Sequence, residues 1–88
     1  MTLGFPNPSR SYDANHHRIR FWAHDGAQEV TFFIEDGAIF KIAPRTGNAE
    51  AAILAAFDAA RDRIMAAAAK VFSPSQPRAF YVLASGDF

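Results

Sequence analysis

Apolar residues recur with a helical period over residues 48–72, a run in which alanine is the commonest residue. At 100° per residue, Ile53, Phe57 and Ile64 fall on one stripe, as in a helix that covers a core with one side. Alanine has the highest intrinsic helix propensity, so the whole run should be helical. Asn48 is a suitable N-cap because its side chain can accept a free backbone N–H. The pattern predicts one long amphipathic helix.

Two earlier segments, residues 18–24 and 29–35, alternate between apolar and polar positions, which is the period of a half-buried strand. Asp25 and Gly26 lie between them and form a strong hairpin signal, because glycine accepts the positive φ that a type I′ turn requires. These features predict an antiparallel hairpin. Two shorter strands are predicted at residues 2–5 and 79–84.

The segments beside the hairpin are less decisive. Residues 36–42 fit either a strand that follows a second turn at Asp36 and Gly37, or a short helix capped by Asp36. Residues 11–15 are predicted to be a loop, since they combine turn-forming residues with a single large apolar side chain.

These elements predict an α+β fold, with a small, mostly antiparallel sheet of three to four strands packed against one long helix in the C-terminal half. The 88 residues predict a single domain, residues 1–88. The helix would cover one face of the sheet. The other face should then expose large aromatic rings and arginines, which predict contact with a partner. The predicted contact residues are Arg18, Arg20, Trp22, Phe33 and Tyr81.

The order of features resembles a known family. The residues that carry the resemblance are Phe5-Pro6, Tyr12-Asp13, the strand with Ile19-Arg20-Phe21, a helix with Phe57, Arg61 and Ile64, and the final Ser85-Gly86-Asp87-Phe88. Together they resemble the bacterial family of domains of unknown function numbered 1488, over nearly the whole chain. The resemblance implies a short helix over residues 36–42. It implies no activity, cofactor or catalytic residue.

Composition excludes several classes of function. Nine basic and nine acidic residues cancel, which weakens the expectation of strong attraction to nucleic acid or to a membrane surface. The chain has no cysteine, so disulfides, thiolate metal sites and thiol nucleophiles are excluded. No apolar run approaches the roughly 18 residues that span a bilayer, and residues 1–10 lack the apolar core of a secretion signal. We therefore expect a cytoplasmic protein with no membrane partner.

Candidate chemistry is sparse. His16, His17 and His24 lack the spacing of a zinc motif, so surface histidines are the simpler interpretation. Asp58 and Asp62 lie one helical turn apart on an exposed side, where Asp58 can also pair with Arg61. The five glycines form neither a phosphate-binding loop nor a dinucleotide fingerprint. No catalytic, cofactor-binding or metal-binding residue is predicted.

Three explanations for the aromatic face follow. The N-terminal segment could cover it, with Phe5 and Tyr12 as the lid; a homodimer or another protein could bury it; or a single-stranded nucleic acid could stack on Trp22 between Arg18 and Arg20. The sequence favours a non-enzymatic protein-interaction or structural module, for which a homodimer is one possible form. A nucleic-acid-binding module and a small enzyme or ligand-binding protein are the alternatives.

Overall fold

The computed structural model describes residues 3–6, 8–73, 75 and 78–88, and these residues form an α+β architecture with a mixed sheet. The strands are β1 (Leu3–Gly4), β2 (Arg10–Asp13), β3 (Arg18–Asp25), β4 (Gln28–Glu35) and β5 (Tyr81–Leu83). The helices are α1 (Asp36–Ile42), α2 (Glu50–Ala59) and α3 (Arg61–Val71), and a 3-10 turn over Ser85–Asp87 follows the last strand.

The predicted hairpin is confirmed, and its turn lies one residue later than predicted. Strands β3 and β4 pair without interruption from Arg18 opposite Glu35 to Asp25 opposite Gln28. The two loop residues are therefore Gly26 and Ala27, and of these only Gly26 has a positive φ, of 64°. That sign pattern belongs to a type II′ turn, which requires the left-handed region only at its first loop residue. A type I′ turn would have forced Ala27 into it as well.

The sheet has more strands than predicted, and one of them is parallel. Its order is β1-β3-β4-β5, and β2 pairs with the other end of the same edge of β3. Strand β5 runs parallel to β4, whereas the remaining pairs are antiparallel. The loop predicted over residues 11–15 is wrong for its first three residues, because they belong to β2 and are paired with β3. Residue 2 of the predicted first strand lies outside the described residues.

The long helix is interrupted at Ala60. This residue has φ −105° and ψ 16°, and its N–H donates to the carbonyls of both Ala56 and Phe57, at 3.1 and 3.2 Å. The prediction of one continuous helix is therefore wrong at this position. Alanine favours a helix, so the propensity of this residue does not account for the interruption. The helix also begins at Glu50 after Ala49, and Asn48 is not its N-cap.

The apolar stripe of the helices is confirmed despite the interruption. Ile53, Phe57 and Ile64 are each at most 1% exposed and belong to one core cluster with the hairpin residues Ile19, Phe21, Phe32 and Ile34. Residues 36–42 form a helix, as the family resemblance implied. Its residues Ala38 and Ile39 are buried in the same core.

Candidate interaction surface

The helices cover one face of the sheet, and the other face, here called the outer sheet face, lies opposite them. In β3 the buried residues Ile19, Phe21 and Ala23 alternate with side chains that must point away from the core. The outer sheet face consists of Ser11 and Asp13 from β2, Arg18, Arg20, Trp22 and His24 from β3, Glu29, Thr31, Phe33 and Glu35 from β4, Val82 from β5, and Phe80 just before β5.

Arg18 and Phe33 form the best-packed part of this face. The Arg18 guanidinium carbon lies 3.7 Å from the centre of the Phe33 ring, which is the geometry of a cation–π contact. Its Nε atom also lies 3.3 Å from Oδ2 of Asp13 on β2. Phe33 is consequently only 9% exposed although no helix covers it. Arg18, Phe33 and Asp13 are therefore packed against one another on this face.

Phe80 is the exposed aromatic residue of this face, and the sequence interpretation missed it. It is 45% exposed, and its ring meets Phe33 edge-on at a centroid distance of 5.3 Å. Among the described residues it is the only large hydrophobic side chain in the exposed class. The sequence contains a signal for it, because Phe80 and Tyr81 are adjacent aromatic residues. Adjacent strand residues point to opposite faces, so one of the two has to lie on the outer sheet face.

Tyr81 is the predicted contact residue that does not lie on the outer sheet face. It was predicted to belong to the aromatic face, but it is 2% exposed and lies on the helix side of the sheet. Its ring stacks on Phe32 at 5.3 Å, and its hydroxyl donates to the Ser73 carbonyl at 3.1 Å. Tyr81 is therefore a core residue, and the predicted contact residues that lie on the outer sheet face are Arg18, Arg20, Trp22 and Phe33.

Arg20 and Trp22 complete the centre of the face. The Arg20 guanidinium carbon lies 5.3 Å from the Trp22 ring centre, and Arg20 is exposed whereas Trp22 is half-buried. Arg20 has no ion-pair partner among the described residues. The face thus presents an accessible cation beside an accessible indole.

Phe5 and Tyr12, in the described part of the N-terminal segment, lie on the helix side of the sheet, so the explanation that makes these two residues a lid is wrong. Phe5 packs towards Phe32 in the core, with ring centroids 6.3 Å apart. Tyr12 also lies on the helix side, where its hydroxyl donates to Oδ2 of Asp36 at 2.6 Å. The hydrogen bond ties β2 to the start of α1.

The Tyr12 hydrogen bond predicts a specific pH dependence. Donation to Asp36, helped by burial and the carboxylate charge, raises the pKa of Tyr12 from 10.0 to about 12. The unfolded chain loses this proton near pH 10, so the stabilisation is complete below pH 10 and is lost as the pH rises towards 12. Titration of tyrosinate absorbance should show a component near pH 12 that Tyr12→Phe removes. If the component that Tyr12→Phe removes titrates near pH 10.0, the ordinary tyrosine value, the hydrogen bond is contradicted.

The other titratable candidates form surface ion pairs. Arg10 donates to both oxygens of Asp58, at 3.0 and 2.8 Å, and Arg61 donates to one of them at 3.1 Å. The predicted pair of Asp58 with Arg61 is confirmed. The Arg10 hydrogen bonds are the main cause that lowers the pKa of Asp58. His16 is exposed and contacts Asp13 at 2.8 Å.

The concave surfaces differ in their chemistry, and one of them, beside the hairpin turn, is lined by Asp25, Glu29 and Arg78 among others. A shallow pocket of about 740 Å³ lies between residues 43–47 and α2. Its lining side chains are mostly alanines, with Arg45 and Thr46 as the polar ones. Within the described ranges, no group of three or more histidines or acidic residues could hold a metal ion. None of the described helices is long and apolar enough to cross a bilayer.

The sequence comparison is decisive for family membership. The model of the family described as "Protein of unknown function (DUF1488)" matches residues 3–83. The chain belongs to this family. The family description names no activity, so the function of this DUF1488 protein has to be argued from its surface. Comparisons with curated proteins and with solved structures find no match.

Proposed function

We propose that this DUF1488 protein is a non-enzymatic protein-interaction module that binds its partner through the outer sheet face. The observation that carries the proposal is the 45% exposure of Phe80 next to the ordered group of Arg18, Phe33, Arg20 and Trp22. Aromatic and arginine side chains are enriched at the centres of protein interfaces. A bacterial, cytoplasmic setting is part of the proposal.

The core supports binding in preference to catalysis. Active sites generally hold titratable groups in buried positions, where their pKa values are shifted towards the needs of the reaction. In the described part of the chain, no polar or charged residue is buried as a whole, and Oδ1 of Asp36, beside Tyr12, is the buried side-chain oxygen without a hydrogen-bond partner. The polar side chains that pair with one another lie at the surface. One set is on the outer sheet face, and the other lies where β2 meets α2.

Site-specific photocrosslinking in cells of the source organism tests the proposal. A photoreactive amino acid at Phe80 should form a discrete covalent adduct with a protein. The same group at Asp62, which is exposed on α3, is the matched control and should form none. Equal labelling from both positions, or none from Phe80, would count against the outer sheet face.

A single-stranded nucleic acid is the second candidate, because arginines beside aromatic rings also suit stacked bases. The Phe33 ring is not available to stack on a base, because the Arg18 guanidinium already lies over it. We therefore expect a labelled single-stranded oligonucleotide to show no saturable binding at low salt. Binding that weakens steeply with salt, and that Trp22→Ala abolishes, would favour this candidate instead.

A further inference from the structure

The charges that β3 and β4 bring to the outer sheet face lie in two neighbouring rows, with the positive charges on β3 and the negative charges on β4. We propose that the partner is a second copy of this chain, and that the two outer sheet faces pack together about a twofold axis that runs along the strands between β3 and β4. This inference rests on the proposed function and specifies both the partner and its orientation.

The strand register supplies the first reason. Arg18 of β3 lies opposite Glu35 of β4, and at the other end of the hairpin His24 lies opposite Glu29. A twofold axis between the two strands places β3 of one copy over β4 of the other. The positive charges of β3, Arg18 and Arg20, then lie over the strand of the second copy that carries Glu29 and Glu35, so the face is complementary to itself.

A different axis would not satisfy these charges. Rotation about an axis across the strands would bring Glu29 of one copy against Glu35 of the other. Like charges opposed in a partly desolvated interface cost several kcal/mol. The charges therefore select the axis along the strands. The formal net charge of the chain is zero, so association meets no overall repulsion.

The centre of the face supplies the second reason. Trp22 and Phe33 lie between the charged ends, and Val82 and Phe80 extend the apolar area towards β5. An apolar centre with a charged rim is the usual composition of a protein interface. Trp22 would lie over Thr31 of the second copy, because these residues are opposite each other in the hairpin.

The size of the face predicts the strength of the dimer. The 25 residues of the five strands, at roughly 3.3 Å by 4.8 Å each, give about 400 Å² from each copy. The total of about 800 Å² is below the usual size of a stable specific interface and fits a weak, transient one. The dimer should therefore dissociate on dilution. Trp22 is the single tryptophan, and its fluorescence emission should shift to longer wavelength as the dimer dissociates.

A charge-reversal pair tests the orientation. Arg20 and Glu35 are both exposed, have no ion-pair partner among the described residues, and lie within diagonal reach across the proposed interface. Arg20→Glu and Glu35→Arg should each be monomeric in sedimentation equilibrium at a concentration where the unmodified protein is a dimer. An equimolar mixture should regain the mass of two chains, because in a mixed dimer the two altered charges oppose each other and the unaltered Arg20 and Glu35 form the second attractive pair.

The matched controls are Arg63→Glu and Asp62→Arg, which reverse exposed charges on α3 and should leave the dimer intact. Circular dichroism checks that each variant is folded. If a reversed variant does not fold, Arg20→Gln and Glu35→Gln replace the pair, and each should weaken the dimer several-fold. Neutral variants that leave the dimer unchanged would overturn the inference.

The remaining outcomes separate this inference from the proposed function. A mixture that stays monomeric would overturn the orientation. An unmodified protein that is monomeric at millimolar concentration would overturn the second copy as partner. In either case a discrete crosslinked adduct from Phe80 would leave the outer sheet face as a contact surface. Reversed variants that remain dimers, together with no adduct, would overturn both.

Discussion

Phe57→Ala is expected to lower the free energy of unfolding by about 3–5 kcal/mol, because it leaves a cavity the size of a benzene ring in a closed core. Phe57 is 0% exposed, its ring centre lies 5.3 Å from that of Phe21, and Arg61 contacts its other side at 5.0 Å. Small domains have total stabilities of only about 5–15 kcal/mol. Urea unfolding followed by circular dichroism measures the loss.

The matched control for this substitution is Phe80→Ala. It removes the same number of atoms from a side chain that is 45% exposed, and the loss should be below about 1 kcal/mol. Equal losses for the two variants would contradict the assignment of α2 as the cover of the core. A much smaller loss for Phe57→Ala would do the same.

Trp22→Ala is expected to convert the proposed dimer into a monomer without unfolding the chain. Truncating a central interface tryptophan commonly costs about 2 kcal/mol or more of binding free energy, which corresponds to a roughly 30-fold larger dissociation constant. The core should persist because Trp22 points away from it, between the buried residues Phe21 and Ala23. Light scattering should give the mass of one chain for the variant, at a concentration where the unmodified protein gives two.

Met65→Ala is the control for Trp22→Ala, since it shortens a half-buried apolar side chain on α3, on the opposite side of the sheet. It should leave the mass at two chains, although it should cost some stability. A Trp22→Ala variant that remains a dimer would remove Trp22 from the interface and would point to the open edge of β5.

The position of Tyr81 shows how one residue of register changes a functional interpretation. The pattern of residues 79–84 indicated a strand but did not fix its alignment with β4. Pairing of Phe32 with Tyr81 directs Tyr81 inwards and leaves Phe80 outside. Because side chains alternate along a strand, a shift of one residue exchanges the two aromatics between core and surface.

The local sequence gives only weak signals for the parallel direction of β5 and for the presence of β2. A helical connection of this length between two strands is typical of parallel neighbours, and it could have predicted the direction of β5. Strand β2 has four residues with one large apolar side chain, Tyr12, so its periodicity is too short to read. It forms because the edge of β3 offers otherwise unpaired backbone N–H and C=O groups to a segment that passes beside it.

The sequence alone determined the hairpin of β3 and β4 and the apolar stripe through Ile53, Phe57 and Ile64. Both depend on periodicity, which local spacing of apolar residues records directly. Family resemblance, not periodicity, selected the helix over residues 36–42. The tertiary structure alone decided the interruption at Ala60, the inward position of Tyr81 and the exposure of Phe80. The last two depend on contacts between segments far apart in the chain, and such contacts are set by the packing of whole elements.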